Sequence, residues 1–207
     1  PQYQRVYSID FLNNNNAVLS AAVRGYSDIF IFRESSRQTE RVTRDFYDDL
    51  DVAVVNWGKK KGVLFSSNRT DLNLIPHKLD TVLPANNFDL YYYDLDEKNG
   101  KLVRVTNTPF ANEKHPMSID SAYFSYVSDE SGIANRRIGY LKEVFGYNEK
   151  VILLNDKTEI VIPEDSVLTT LDTALVDSTW LQTVYEWKGF SFANTNSDRS
   201  ILHQHSS

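Results

Sequence analysis

His115-Pro116-Met117-Ser118-Ile119-Asp120-Ser121-Ala122-Tyr123-Phe124-Ser125-Tyr126-Val127-Ser128-Asp129-Glu130-Ser131-Gly132 decides how the rest of the chain is read, because its layout returns twice upstream. It spells a turn at Ile119-Asp120-Ser121, an aromatic and β-branched strand over Ala122 to Val127, and a polar turn closed by Gly132. Asn56 to Thr70 and Asp10 to Gly25 repeat the order of turn, strand and Ser-containing polar stretch. A second element keeps step with it. Glu40-Arg41-Val42-Thr43-Arg44-Asp45-Phe46 matches Val103-Arg104-Val105-Thr106-Asn107-Thr108-Pro109-Phe110, each between one unit and the next. Two elements recurring in one order mark an internal repeat.

Thr43 and Thr106 stand 63 residues apart, and Arg24 and Arg69 stand 45 apart. One insertion, over Asp71 to Asn87 with its two prolines and no strand period, accounts for the difference. Without it the unit has about the length of a four-stranded propeller blade. The chain resembles the TolB-type β-propeller repeats, whose consensus runs Leu-Thr, a spacer, Pro-x-x-Ser-Pro-Asp-Gly, an apolar strand, then Ser-Asp-Arg-x-Gly. Val105-Thr106, His115-Pro116, Ile119-Asp120-Ser121, Tyr126-Val127-Ser128-Asp129 and Gly132 match it. Two departures stand out. Ser-Pro-Asp-Gly is replaced by Ser118-Ile119-Asp120-Ser121, and in the middle repeat by Asn56-Trp57-Gly58-Lys59. The resemblance covers about residues 5 to 142 and speaks to fold, since unrelated proteins carry such repeats.

The expected fold is therefore all-β: a propeller, or part of one, of four-stranded antiparallel blades. Blades are expected at about 3–52, 52–116 and 117–163, and 164–207 at a further hairpin or incomplete blade with a polar tail. The first has strands at Ala17 to Ala22, Asp28 to Phe32 and Glu40 to Thr43, with Asn13 to Asn16 as a hairpin tip. The second has strands at Gly62 to Ser66, Phe88 to Asp94 and Leu102 to Val105, with the Asn-Gly of Lys98-Asn99-Gly100-Lys101 as a hairpin signal. The third has strands at Ala122 to Val127, Arg136 to Leu141, Lys150 to Leu154 and Glu159 to Ile162. Leu181 to Trp187 and Gly189 to Ala193 read as one more hairpin. Helix is expected only within Asp71 to Asn87 or Asp165 to Ser178. Tyr123, Tyr126, Phe65, Leu64, Leu19 and Ile31 are the expected core. Three legible blades are too few to close a ring, so the chain is expected to be part of a longer polypeptide or to pack its open end on another copy or on its C-terminal segment.

Composition narrows function by exclusion. The 207 residues are 41% hydrophobic, as in a globular protein, and Tyr and Phe are abundant beside a single Met, which suits strands. A net charge of −6 supplies no basic field, which argues against nucleic acid as a partner. No apolar run reaches the roughly 20 residues of a spanning helix, so no direct membrane insertion is expected. Zero cysteines exclude disulfides and Cys-based zinc sites.

Chemistry-bearing patterns are few and each has a structural alternative. Gly189-Phe190-Ser191-Phe192-Ala193 approximates a nucleophile elbow but lacks the second glycine and a following helix, so it reads as an alternating strand. His203-Gln204-His205 has metal-ligand spacing without a third ligand, while His77 falls in a loop and His115 at a blade junction. Asp48-Asp49-Leu50-Asp51 and Asp94-Leu95-Asp96-Glu97 gather carboxylates without calcium-loop spacing and read as turns. Lys59-Lys60-Lys61 reads as a solvated turn. Asn68-Arg69-Thr70 is a formal glycosylation sequon. Asp80-Thr81-Val82, Asp120-Ser121-Ala122, Asp165-Ser166-Val167, Asp172-Thr173-Ala174 and Asp177-Ser178-Thr179 resemble an O-glycosylation tripeptide.

No catalytic or metal residue, no cofactor and no specific partner-contact residue is assigned from the sequence. The resemblance implies a non-catalytic binding scaffold of the bacterial cell envelope, periplasmic or outer-membrane associated, meeting a protein partner through propeller rim loops. In TolB that partner is a peptidoglycan-associated lipoprotein. The alternative is the propeller domain of a larger prolyl oligopeptidase-like peptidase or carbohydrate-active enzyme, with its catalytic part elsewhere.

Overall fold

Short polar tips separate the apolar runs, and each tip turns the chain back on itself. Between β1 (Arg5–Asn13) and β2 (Asn16–Val23), Asn13 accepts the Asn15 amide through Oδ1 at 2.9 Å. None of Asn13 to Asn16 takes a positive φ; that conformation falls at the next tip, on Arg24 (φ 55) and Gly25 (φ 85). The computed structural model describes residues 2–58, 60–74, 85–97, 100–166 and 172–202. Among these there is no α-helix, only a 3-10 turn at Thr173–Leu175 that Asp172 caps. No helix among the described residues is long and apolar enough to cross a membrane.

Antiparallel sheets account for the fold. The first joins β1, β2, β3 (Tyr26–Arg33) and β4 (Gln38–Arg41) in chain order. The second joins β5 (Asp49–Trp57), β6 (Lys60–Ser67), β7 (Asp89–Asp94) and β8 (Leu102–Arg104) in the same way. The third begins with β9 (Glu113–Ser118), β10 (Phe124–Ser128) and β11 (Asn135–Leu154), continues on β11 to β12 (Glu159–Pro163), and adds β13 (Val176–Ala193), which also pairs β11. None of the sheets closes on itself.

The chain divides into two units. One holds the residues up to Leu141 and those from Gly189 onward; the other is Lys142–Lys188. In the first unit, β1 lies against β5 and β5 against β9, so the opening strands of the three sheets are neighbours. Val18, Ile29 and Ile31 of the first sheet pack on Val54, Val63, Phe65, Tyr91 and Tyr93 of the second. Burying a ring such as Phe65 contributes roughly 2–3 kcal/mol. On the other face of the second sheet, Trp57 meets Tyr92 at 4.7 Å and Phe124 at 6.0 Å, edge to face. Two glycines make room for these rings. A Cβ on Gly62 would lie 2.0 Å from Tyr92, and one on Gly139 2.3 Å from Phe124.

The repeated Arg-Val-Thr has a physical role. In the first sheet Arg41 pairs with buried Asp28, its Nε donates to the Thr43 carbonyl, and Thr43 Oγ1 accepts the Ile29 amide at 2.9 Å. In the second, Arg104 pairs with Asp89, its Nε donates to the Thr106 carbonyl, and Thr106 Oγ1 accepts the Leu90 amide at 2.8 Å. Each clasp ties the last strand to the start of the third. In the third sheet Thr195 Oγ1 accepts the Arg136 amide at 2.8 Å, and Asn135 stands where the aspartates stood. The chain beside Asn135 to Leu141 is therefore the end of β13, Gly189 to Ala193, with Tyr140 stacked on Phe190 at 5.5 Å.

Several sequence expectations change accordingly. Arg136 to Leu141 and Lys150 to Leu154 are one strand, β11, not two; Leu181 to Trp187 and Gly189 to Ala193 are likewise one strand, β13, not a hairpin. No turn-forming pair interrupts either run, so each continues in extended form. In the sequence, residues 142–188 thus separate the third and fourth strands of the third sheet, and within this unit β12 pairs the end of β11 and Gly146 faces Val184 and Glu186 of β13. Sequence also passes over the first strand of every sheet. β1 and β5 carry Asp10, Asp49 and Asp51, and β9 carries Pro116, residues that disfavour strands unless the fold supplies partners. Tyr123 is 41% exposed because β10 starts at Phe124 rather than at Ala122, while Tyr126, Phe65, Leu64, Leu19 and Ile31 are buried as expected.

Candidate functional site

The strongest charge cluster lies inside. Arg69, 2% exposed, donates through Nη2 to both oxygens of Asp49 at 2.9 and 2.7 Å and to Asp45 at 3.1 Å, and through Nε to Ser67 at 3.2 Å. The rings of Tyr47, Phe65 and Tyr91 surround its guanidinium, and the Tyr91 hydroxyl donates to its carbonyl at 2.6 Å. Burial works against the Arg69 charge, but Asp49 and Asp45 outweigh it and raise its pKa. Burial, only partly offset by Arg69, pushes Asp49 above the usual carboxylate range. Closed to solvent, this cluster is a structural anchor. Asn68 is buried beside it, its Oδ1 accepting the Asp48 amide at 2.9 Å, so the folded chain has no room for a glycan on the Asn68 sequon.

The accessible polar geometry runs along β1, β5 and β9. Register shifts mark these strands between Val6 and Ser8, between Leu50 and Ala53, and opposite Ser125 to Val127. At the second and third shifts stand Asp51 (φ 54) and His115 (φ 52), two non-glycine residues in left-handed geometry. Such bulges re-aim side chains and are enriched near functional surfaces. Here they bring Asp51 Oδ1 to 3.4 Å from His115 Nδ1, while Asp51 Oδ2 accepts the His115 amide at 3.3 Å. The pair joins the second sheet to the third. Ser8 and Asp10 join the first to the second, their side-chain oxygens accepting the Val52 and Val54 amides at 2.9 and 2.7 Å. With Asn56 and Ser118 these residues line an open groove of about 490 Å³.

Electrostatics in the groove follow from the pair. Burial raises the Asp51 pKa, but hydrogen bonds and charge attraction from His115 outweigh it and leave it lowered. The Asp51 hydrogen bond raises His115, against burial and the nearby Lys114 ammonium. The dyad is thus biased toward the ion pair. A His–Asp pair next to hydroxyls can position a hydrogen-bonding ligand or take up a proton.

The sequence-derived candidates are scattered. Ser191 lies in the β13 strand, its Oγ accepting from Arg137. Asp94 closes a turn by accepting the Asp96 and Glu97 amides, and Lys60 pairs with Asp94 and Glu97. Asp49 and Asp51, read as turn residues, sit in β5. His77, His203-Gln204-His205 and Asp80-Thr81-Val82 fall outside the described residues, as do Lys59, Lys98, Asn99 and Val167. Asp120 caps an exposed bend by accepting the Ala122 and Tyr123 amides, and Asp172 caps the 3-10 turn. No group of three metal-ligating side chains occurs among the described residues. Sequence passed over the Asp51–His115 pair because its partners are 64 positions apart. The apolar run Val52-Ala53-Val54-Val55 is a local sign of β5, which opens ahead of it at Asp49. A scan of protein-family models finds no match, and a search of curated proteins finds no significant relative.

Proposed function

We propose that this chain is a non-catalytic binding scaffold of the β-propeller type, presenting the groove along β1, β5 and β9 and the adjoining loops to a protein partner in the cell envelope. The observation that carries this reading is the set of side-chain bonds that fix neighbouring opening strands, Ser8 to Val52, Asp10 to Val54 and Asp51 to His115, and leave the groove open. Groups held this way meet a partner without a large ordering cost. Placement in the envelope rests on the resemblance of residues 5 to 142 to TolB-type repeats, and the partner's class on the same likeness.

A second reading, a carbohydrate-active propeller, is favoured by the two groove carboxylates, Asp10 and Asp51. Against it, backbone amides and His115 already occupy their oxygens.

The test is photocrosslinking in the native cells from positions 56 and 118, with position 147 of the second unit as control. A discrete envelope-protein adduct from the groove positions, lost in Asp51→Lys, is expected. Adducts equal from all three positions, or turnover of an oligosaccharide by the purified chain, would overturn the scaffold reading.

A further inference from the structure

Phe110 is the most exposed large apolar side chain among the described residues, at 96%. It stands there in left-handed backbone geometry (φ 67), which a bulky residue keeps only where its surroundings hold it. Here they do. The Thr108 amide donates to Asp89 at 3.2 Å and the Ala111 amide to the Thr108 carbonyl at 3.3 Å. The Asn87 carboxamide, its oxygen turned to the chain, accepts the Phe110 and Ala111 amides at 2.9 and 3.0 Å. Ala111 is buried, so the turn is fastened on both sides of the ring. In the first repeat the matching residue, Phe46, rests on Tyr47 at 4.7 Å, whereas the Phe110 ring is held out to solvent.

Beside this ring opens a pocket of about 370 Å³, lined by Thr70, Asn86, Asn107 and Thr108 together with the Asp89–Arg104 clasp. It shares no residue with the groove along β1, β5 and β9. Its chemistry selects among ligands. Arg104 is engaged by Asp89 and the Thr106 carbonyl, Asp89 by Arg104, Thr106 and Thr108, and Arg69, also at the pocket, by Asp45 and Asp49. These pairings leave little net charge to attract a phosphate or an ammonium group. What the pocket offers is amides and hydroxyls beside one aromatic face. A sugar ring has the complementary surface: hydroxyls that need partners when they leave water, and an apolar face whose slightly positive C–H groups meet the negative face of an aromatic ring. A protein segment would find a single ring here, without the clustered anchors that carry protein interfaces.

We propose that this pocket is a saccharide-binding site, in which Phe110 stacks on the apolar face of one pyranose ring while Asn86, Asn107 and Thr108 hydrogen-bond its hydroxyls. The fastened turn presents the ring without a large ordering cost. The site binds and does not cleave, since both oxygens of Asp89 are held in the clasp. It stands apart from the scaffold reading and does not depend on it.

Saturation-transfer NMR and titration calorimetry on the 207-residue chain, with cellotetraose, chitotetraose, mannotetraose and galactotetraose as probes, test it. Saturable binding of at least one probe is expected, with a Kd on the order of millimolar or tighter. Phe110→Ala should weaken it roughly tenfold or more, and Asn107→Ala severalfold, while Phe110→Tyr keeps it. Far-UV circular dichroism and the melting temperature should not change in Phe110→Ala, because the ring lies outside the core. No saturable binding of any probe at about 10 mM, or binding that survives Phe110→Ala, would overturn the saccharide site. If Phe110→Ala instead removes the protein adduct formed from positions 56 and 118, the ring belongs to a protein interface and the saccharide assignment falls. If that adduct persists while no probe binds, the scaffold reading stands and the saccharide site alone is lost.

Discussion

Phe11 in β1 and Val54 in β5 occupy the same rung of two sheets built alike, counted from the clasp aspartates, yet one is mostly exposed and the other buried. The strands share pairing, direction and an Asp-Arg-Thr clasp. What separates them is a neighbour. A repeat unit fixes which residues leave each face of its sheet, and the unit before it decides whether that face is dry.

The comparison is broken most directly by placing one charge on each rung. Val54→Asp should cost more than about 4 kcal/mol, since it buries an unpaired carboxylate between sheets, whereas Phe11→Asp should move the stability of the single chain by no more than about 0.5 kcal/mol. Urea titration of both measures it. Equal losses would mean that Phe11 is packed as Val54 is.

A buried cation sharpens the contrast further. Arg24, the sequence counterpart of Arg69, sits in an exposed turn, so Arg24→Met should be near neutral. Arg69→Met leaves Asp45 and Asp49 without their cation and should cost about 3–5 kcal/mol. Thermal unfolding of the two variants gives the answer, and a mild Arg69→Met would show that the cluster takes up protons instead.

At the next interface, Gly139→Ala should cost about 1–3 kcal/mol by pushing Phe124 off Trp57. Gly139 has no left-handed backbone to strain, so the loss reads the ring contact alone. A Gly139→Ala loss under about 0.5 kcal/mol would mean that the Phe124 ring moves aside freely.

The last expected effect depends on pH. Burial, with Asp89 close by, pushes Glu113 up to about 7. Below its ordinary range both folded and unfolded chains hold the proton and nothing changes. From there to about 7 only the folded chain holds it, so stability falls as pH rises, by up to ~2–3 kcal/mol for this group. Asp28, raised by burial to about 6, acts in the same direction, and so does His115, whose contribution is present below its ordinary pKa and lost as pH rises through the raised one. Asp51, lowered, opposes them only in acid. The melting temperature should therefore be higher at pH 5.5 than at pH 8. Glu113→Gln should raise it at pH 8 and leave it nearly unchanged at pH 5. A Glu113→Gln gain independent of pH would rule out the proton as its cause.

Much of the fold was legible because its signals are local. Arg41-Val42-Thr43 and Arg104-Val105-Thr106 repeat in sequence because each set closes a clasp within its own sheet, and Gly62 to Ser66 reads as a strand from its own residues. β5 was less legible. Asp49 and Asp51 look like turn residues until Arg69 and His115 are brought to them from 20 and 64 positions away. The third sheet misled for a different reason: its fourth strand comes 47 residues late, after Lys142–Lys188, and no local pattern says which of several strands a given edge will accept.

Alternation, turn residues and the twofold-echoed repeat determined by themselves that this chain is built of short antiparallel strands in recurring sheets, because side-chain period and turn chemistry act over a few residues. Tertiary structure alone decided which carboxylates are anchors and which line a groove, which of two matching rungs is covered, and that Gly189 to Ala193 completes the third sheet. Those outcomes depend on desolvation and pairing between segments far apart in the chain, and the free energy of a buried charge or an exposed ring is set by whatever the fold places against it.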